Sequence, residues 1–142
     1  MMAVVVCAVV TLAATGEKHG HFETVIAKAV MAQNILVMND AGKVVVTLSA
    51  NDDGNGVVQT KSAKGKDLVI LNSTVNNNGA VMLYQPNGKT MVELITNDDG
   101  GMVGVKNKTG EIIVGIKADE YGNGVVWAGN RKGKGNTLKP GP

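Results

Sequence analysis

The stretch Gly79–Gly101, GAVMLYQPNGKTMVELITNDDGG, decides the fold class. Two apolar segments of about six residues, which is strand length, flank Gln85-Pro86-Asn87-Gly88-Lys89. That quintet suits a type I turn with proline in its second position and a left-handed glycine. An acidic loop, NDDGG, then closes the second segment. The order is strand, glycine turn, strand, acidic loop. If Gln85 pairs with Lys89, plain counting puts Leu83 opposite Met91 and Val81 opposite Glu93. Val92 and Leu94 then point to the other face, because side chains alternate along a strand.

Outward from this stretch the same unit recurs every 23 residues. Gly42, Gly65, Gly88, Gly110 and Gly133 mark one series of turns, and Gly56, Gly79, Gly101 and Gly124 the other. Each series contains one spacing of 22 rather than 23. Aliphatics keep the same phase: Ile35, Val58, Val81, Val103 and Val126 share one position, and Leu48, Leu71, Leu94 and Ile116 another. Such self-similarity defines the architecture before any other signal. The expected fold is all-β, an antiparallel meander of strand-turn-strand repeats, coiled or wrapped in an oligomer. A single-chain β-solenoid is the alternative. Aliphatics on both strand faces require a partner layer, since repeat units rarely bury a core alone.

Composition agrees. The 142 residues include 22 valines, 19 glycines and 14 asparagines but only four aromatics, Phe22, Tyr84, Tyr121 and Trp127. Valine suits strands, while Gly and Asn suit turns. The aliphatic content excludes a disordered chain. A net charge of +2 lacks the concentrated basic footprint of a nucleic-acid binder. Cys7, the single cysteine, excludes a disulfide framework and a thiolate metal cluster.

Four regions follow. Residues 1–15 read as a signal-like hydrophobic segment, too short for a helix spanning a bilayer. No Lys or Arg precedes the run, so either the start is placed too late or the segment is not a signal, a buried N-terminal strand being the competing reading. Residues 16–33 read as a linker or cap, with Glu23 to Gln33 as a short helix or Val25 to Met31 as a degenerate strand. Residues 34–138 form the repeat domain, and 139–142 a tail. The last ten residues, GKGNTLKPGP, lack strand character and are expected to end the array.

Charge sorts by turn type. Asp52, Asp53, Asp98, Asp99, Asp119 and Glu120 lie in the acidic loops. Lys43, Lys64, Lys66, Lys89, Lys108, Arg131, Lys132 and Lys134 lie at or beside the glycine turns. A meander or solenoid places the two sets on opposite edges. The expectation is one acidic rim and one basic rim, suited to salt-sensitive association. The plain alternative is solvated turn residues that also blunt sheet edges.

Candidate chemistry is sparse. Asn51, Asp53 and Asn55 before Gly56 resemble the alternating oxygen ligands of a calcium loop, but Ser62 stands where a bidentate Glu is needed. Plain turn chemistry is the stronger reading. His19 and His21 form at most a weak metal pair. No nucleophile motif and no phosphate loop opening a helix is present, so no catalytic residue, cofactor or enzymatic activity is expected. Trp127 and Tyr84 are candidates for stacking on a sugar or another chain, against ordinary packing. Asn72-Ser73-Thr74 and Asn107-Lys108-Thr109 match glycosylation acceptors.

The segments GEKHG, VVQTKSAKGKDLVIL, YQPNGK and DEYGNGVVWAGNRKGKGNTLKPGP together resemble small exported bacterial proteins of a planctomycete type. Those carry similar hairpin repeats and a closing segment like NRKGKGNTLKPGP. The resemblance implies export and repetitive β structure, and it transfers no activity, catalytic residue or binding residue.

The functional expectation is a non-enzymatic structural or interaction protein of the envelope or extracellular space. It is expected to form a homo-oligomer (a trimer being one form), without nucleic acid and without a membrane span in the mature chain. A module binding glycans or another cell-surface polymer is the alternative, and a calcium-stabilised repeat the third reading.

Overall fold

The computed structural model describes residues 27–139. The signal-like segment, Cys7, His19 and His21 lie outside them. From Lys28 to Gln33, where a helix or a capping strand was the expectation, the chain forms neither.

Ten strands follow: β1 (Ile35–Met38), β2 (Val44–Ala50), β3 (Gly56–Lys61), β4 (Asp67–Ser73), β5 (Gly79–Tyr84), β6 (Thr90–Asn97), β7 (Gly100–Lys106), β8 (Ile112–Ala118), β9 (Gly124–Gly129) and β10 (Gly135–Leu138). Each pairs antiparallel with its chain neighbours in one open sheet, ordered β1 to β10. The fold is a repetitive meander, not a solenoid. β10 departs from expectation: GNTL pairs along β9 from Gly135↔Gly129 to Leu138↔Val126. The turn at Asn130–Lys134 returns the chain against an open edge. Backbone pairing there needs no strong strand former.

Most turns share one construction. In Gln85–Lys89 the Gln85 N–H donates to Lys89 O at 2.9 Å, and the Gly88 N–H donates to Gln85 O at 2.9 Å. Gly88 has φ +84°. The acidic edge reuses the design. Gly54 and Gly122 take the left-handed position, and Asn77 takes it at φ 59°. Of the glycines repeating at 56, 79, 101 and 124, three instead begin strands, and Gly101 is the second residue of β7. Asparagine tolerates the left-handed region because its short polar side chain bonds locally. The exception is Asn97–Gly100, whose ends pair directly across two residues. This shorter loop explains the spacing of 22 in both glycine series.

The register at the glycine turns corrects the counting. Tyr84 pairs with Thr90 as counted, but Leu83 then pairs with Val92 and Val81 with Leu94, leaving Met91 over. Met91 is a β-bulge residue. Val45, Leu68 and Ile113 are left over in the same way in their hairpins. A slip of one residue moves a strand's side chains to the opposite face. Each bulge therefore restores Val92 and Leu94, and their counterparts, to the face of Val81 and Leu83.

Cross-strand partners share a face, so the registers define three rows on that face, here face 1. The first holds Val37, Val46, Thr60, Val69, Leu83, Val92, Val105, Val114, Ala128 and Asn136. The second holds Ile35, Leu48, Val58, Leu71, Val81, Leu94, Val103, Ile116, Val126 and Leu138. The third, nearest the acidic loops, holds Ala50, Gly56, Ser73, Gly79, Thr96, Gly101, Ala118 and Gly124. Face 2 carries Gln59, Ile70, Met82, Glu93, Gly104, Gly115 and Trp127 in its central row.

Candidate interaction surface

Burial separates the two faces. Among the described residues, the buried hydrophobic side chains are Ala80 and Val125, each 5% exposed, and Glu93 is the buried charged one. All three belong to face 2. On face 1 the second-row side chains Leu48, Leu71, Leu94 and Ile116 remain exposed, reaching 42% at Leu71 and 49% at Ile116. These four come from β2, β4, β6 and β8, while Val58, Val81 and Val103 between them are half-buried. The sheet thus presents a continuous aliphatic face to solvent. Soluble monomers rarely expose large contiguous apolar patches. Above the second and third rows of face 1 lies a hollow of about 850 Å³, floored by Gly56, Gly79, Gly101 and Gly124 and walled by Leu71, Leu94 and Ile116.

Face 2 has a polar centre. Lys106 Nζ lies 2.5 Å from Glu93 Oε2, with both side chains largely enclosed. Gly104 pairs with Glu93 across the strands. A Cβ at Gly104 would stand 3.0 Å from Glu93 Cγ and Oε1, so the missing side chain gives the carboxylate its place. A second pair joins Lys61 Nζ to Asp67 Oδ1 at 2.5 Å, and Gln59 Nε2 donates to the same oxygen at 2.9 Å. Sequence reading passed over Glu93 and Lys106. The signal was countable: pairing outward from the Asn97–Gly100 loop brings Glu93 opposite Gly104.

Trp127 and Tyr84, the stacking candidates, are not brought together. They stand on β9 and β5, four strands apart, or about 19 Å at the usual spacing of ~4.8 Å. Tyr84 turns along its own strand, its hydroxyl 3.1 Å from Met82 Sδ. The Trp127 ring lies over Gly129, where any Cβ would collide with it. It lines a hollow of about 530 Å³ on face 2 with Met102, Val125, Lys117, Asp119 and Thr137.

The calcium candidates are engaged by their own turn. Asn51 Oδ1 accepts the N–H of Asp53 at 3.1 Å and of Asn55 at 2.8 Å. Asn55 Nδ2 donates to Asn77 Oδ1 of the neighbouring acidic-edge turn at 2.8 Å. Asn39, Asp119 and Asn130 act like Asn51. This is the side-chain turn chemistry of Asn and Asp. Among the described residues, no three His, Cys, Asp or Glu side chains group as a metal site. Asn72 of the first glycosylation triplet lies within β4 with a buried, unpartnered Oδ1, and Asn107 of the second opens a turn.

Hydrogen bonds lower two exposed carboxyls below their ordinary range. Glu111 is lowered first by the Thr109 hydroxyl. Asp119 is lowered first by the backbone N–H of Asn123, at 2.8 Å.

Antiparallel pairing places all glycine turns on one edge and all acidic loops on the other. The five glycine turns, from Asn39–Lys43 to Asn130–Lys134, carry eight Lys or Arg against Asp40 and Glu111, a net of six positive charges. The four loops of the other edge carry six acids and no cation. The rims are opposite and balanced.

No protein-family model matches the chain, and no curated protein is similar enough to it to count as a relative. Among the described residues no helix is long and apolar enough to cross a membrane.

Proposed function

We propose that this chain is a non-enzymatic structural or interaction protein, a β-repeat element that works by assembling with copies of itself in the cell envelope or outside the cell. The observation that carries the reading is the open sheet with an exposed aliphatic face and, among the described residues, only Ala80 and Val125 as buried hydrophobics. Burying apolar surface contributes about 25 cal/mol per Å², and a sheet with one uncovered apolar face forgoes much of that until another layer arrives. The signal-like run at residues 2–15 and the resemblance to exported repeat proteins support the location. Sedimentation of the purified protein tests the assembly: a whole multiple of the chain mass supports it, and a stable monomer contradicts it.

The Trp127 hollow favours a second reading, a module for glycans or other cell-surface polymers. An aromatic ring beside Lys117, Asp119 and Thr137 combines an apolar platform with hydrogen-bonding groups, as sites for small ligands do. A glycan array tests it. Reproducible binding lost in Trp127→Ala supports this module, and an array without hits removes it.

A further inference from the structure

We infer that face 1 is covered by a second copy of this chain, laid so that each strand lies over the same strand of the other copy. The acidic rim of one copy then runs along the basic rim of the other. The inference rests on the assembly proposed above and specifies which surface is used and how two copies align.

Area comes first. Ten strands at ~4.8 Å spacing span about 43 Å; β2 to β9, of six to eight residues, run about 20–27 Å, and β1 and β10, of four, about 14 Å. The face therefore offers about 900 Å², against the ~800 Å² per partner of a standard interface.

Shape selects the alignment. The first row of face 1 is bulky, with Val69, Leu83 and Val92, whereas the third is built of glycine, alanine, serine and threonine. The hollow of about 850 Å³ stands over that small-residue row. A copy turned over about an axis along the second row brings its bulky row onto the partner's small-residue row. The side chains of one copy enter the hollow of the other, and the reverse. Because both copies share one repeat spacing, the match holds from β2 to β9.

Charge selects the same alignment. Turning the copy about that axis lays six net negative charges along six net positive ones. Turning it about an axis parallel to the strands instead lays acid on acid, and bulky row on bulky row. Stacked sheets lie ~10 Å apart, about one Debye length at 0.1 M salt. The rims are thus close enough to feel each other, and salt weakens their attraction.

Cross-linking tests the alignment in the full-length chain, with Cys7→Ser removing the one native cysteine. Leu71→Cys alone and Ile116→Cys alone, treated with a short bismaleimide, are each expected to give a covalent dimer. In the opposite sense β4 would cover β7. Both single variants would then stay uncross-linked while Leu71→Cys/Val103→Cys cross-links, which overturns the inference. Leu71→Lys/Leu94→Lys, shown by circular dichroism to keep its sheet, is expected to lose the assembly. If it sediments at the unchanged multiple, face 1 is not the interface and the inference fails while the assembly reading stands. An unsubstituted chain that sediments as a monomer overturns both.

Discussion

Leu83 on β5 faces Val92 on β6, and Met91 is left between Val92 and Thr90 without a partner of its own. That bulge decides which face of the sheet is aliphatic. Were Met91 paired with Leu83 instead, Val92 and Leu94 would join Met82 on face 2, and Glu93 and its partner Gly104 would move to face 1. Val45, Leu68 and Ile113 do the same in their hairpins. The bulge thus belongs to the repeat as much as the glycine turn does.

Deleting Met91 is therefore expected to cost far less than deleting a paired residue of the same hairpin. Without Met91, Thr90 and Val92 become neighbours and still pair with Tyr84 and Leu83, an effect of about 1 kcal/mol. Deleting Met82, which pairs with both Ile70 and Glu93, forces a register slip or a broken ladder, at about 3 kcal/mol or more. Urea unfolding of the two variants checks this, and equal midpoints would contradict it.

The ion pair on face 2 gives a second expectation. Lys106→Met leaves the Glu93 carboxylate enclosed without its cation. The expected loss is about 2–3 kcal/mol, between the limits for exposed and buried pairs. Lys106→Met/Glu93→Gln is expected to recover part of that loss, because the unpaired charge goes with it. Gly104→Val meets the Glu93 side chain directly and is expected to destabilise even with both charges present. Thermal melts of the three variants decide the order.

Turn conformation makes a third. Gly88 and Asn77 both sit at positive φ, +84° and 59°. Gly88→Ala puts a Cβ into the left-handed region, at about 1–2 kcal/mol. Asn77→Gly removes that strain and is expected to change stability by less than about 1 kcal/mol, although it also breaks the bond to Asn55. If Asn77→Gly proved as damaging as Gly88→Ala, Asn77 would matter through its side chain and not its backbone.

Acid sensitivity follows from Asp119. Its folded pKa is depressed by the Asn123 and Tyr121 N–H groups. The stabilisation it contributes is present above its unfolded pKa of about 3.9 and is lost as pH falls through the folded value. Melting temperature should therefore fall below about pH 4. Asp119→Asn keeps an oxygen acceptor, as Asn51 and Asn130 do at their turns, and should flatten that slope. An unchanged slope would assign the acid loss to other groups.

What the chain discloses in advance is its periodicity. Glycine and asparagine at fixed intervals place the turns, and valine between them makes strands, so the meander and its two charged rims are legible from residues alone. The bulges are not, because Val45, Leu68, Met91 and Ile113 stand among other apolar residues and an added strand residue leaves no mark in composition. β10 was obscured because Gly135-Asn136-Thr137-Leu138 has little strand propensity, and the edge of β9 supplies what propensity lacks. Asn77 hid behind the glycine series, since the regularly spaced Gly79 was credited with a turn that Asn77 makes. Face 1 was obscured by the register error, which split its aliphatics between two faces. Trp127 and Tyr84 drew notice as rare aromatics, yet the register keeps them four strands apart.

The central claim is that this sheet is one layer of a larger assembly of identical chains. Sedimentation equilibrium of the purified protein, across low and high salt, tests it most directly. The account predicts a whole multiple of the 14.7 kDa chain at low salt, with weaker association as salt screens the rims. A folded species that stays at the mass of one chain under every condition would contradict it.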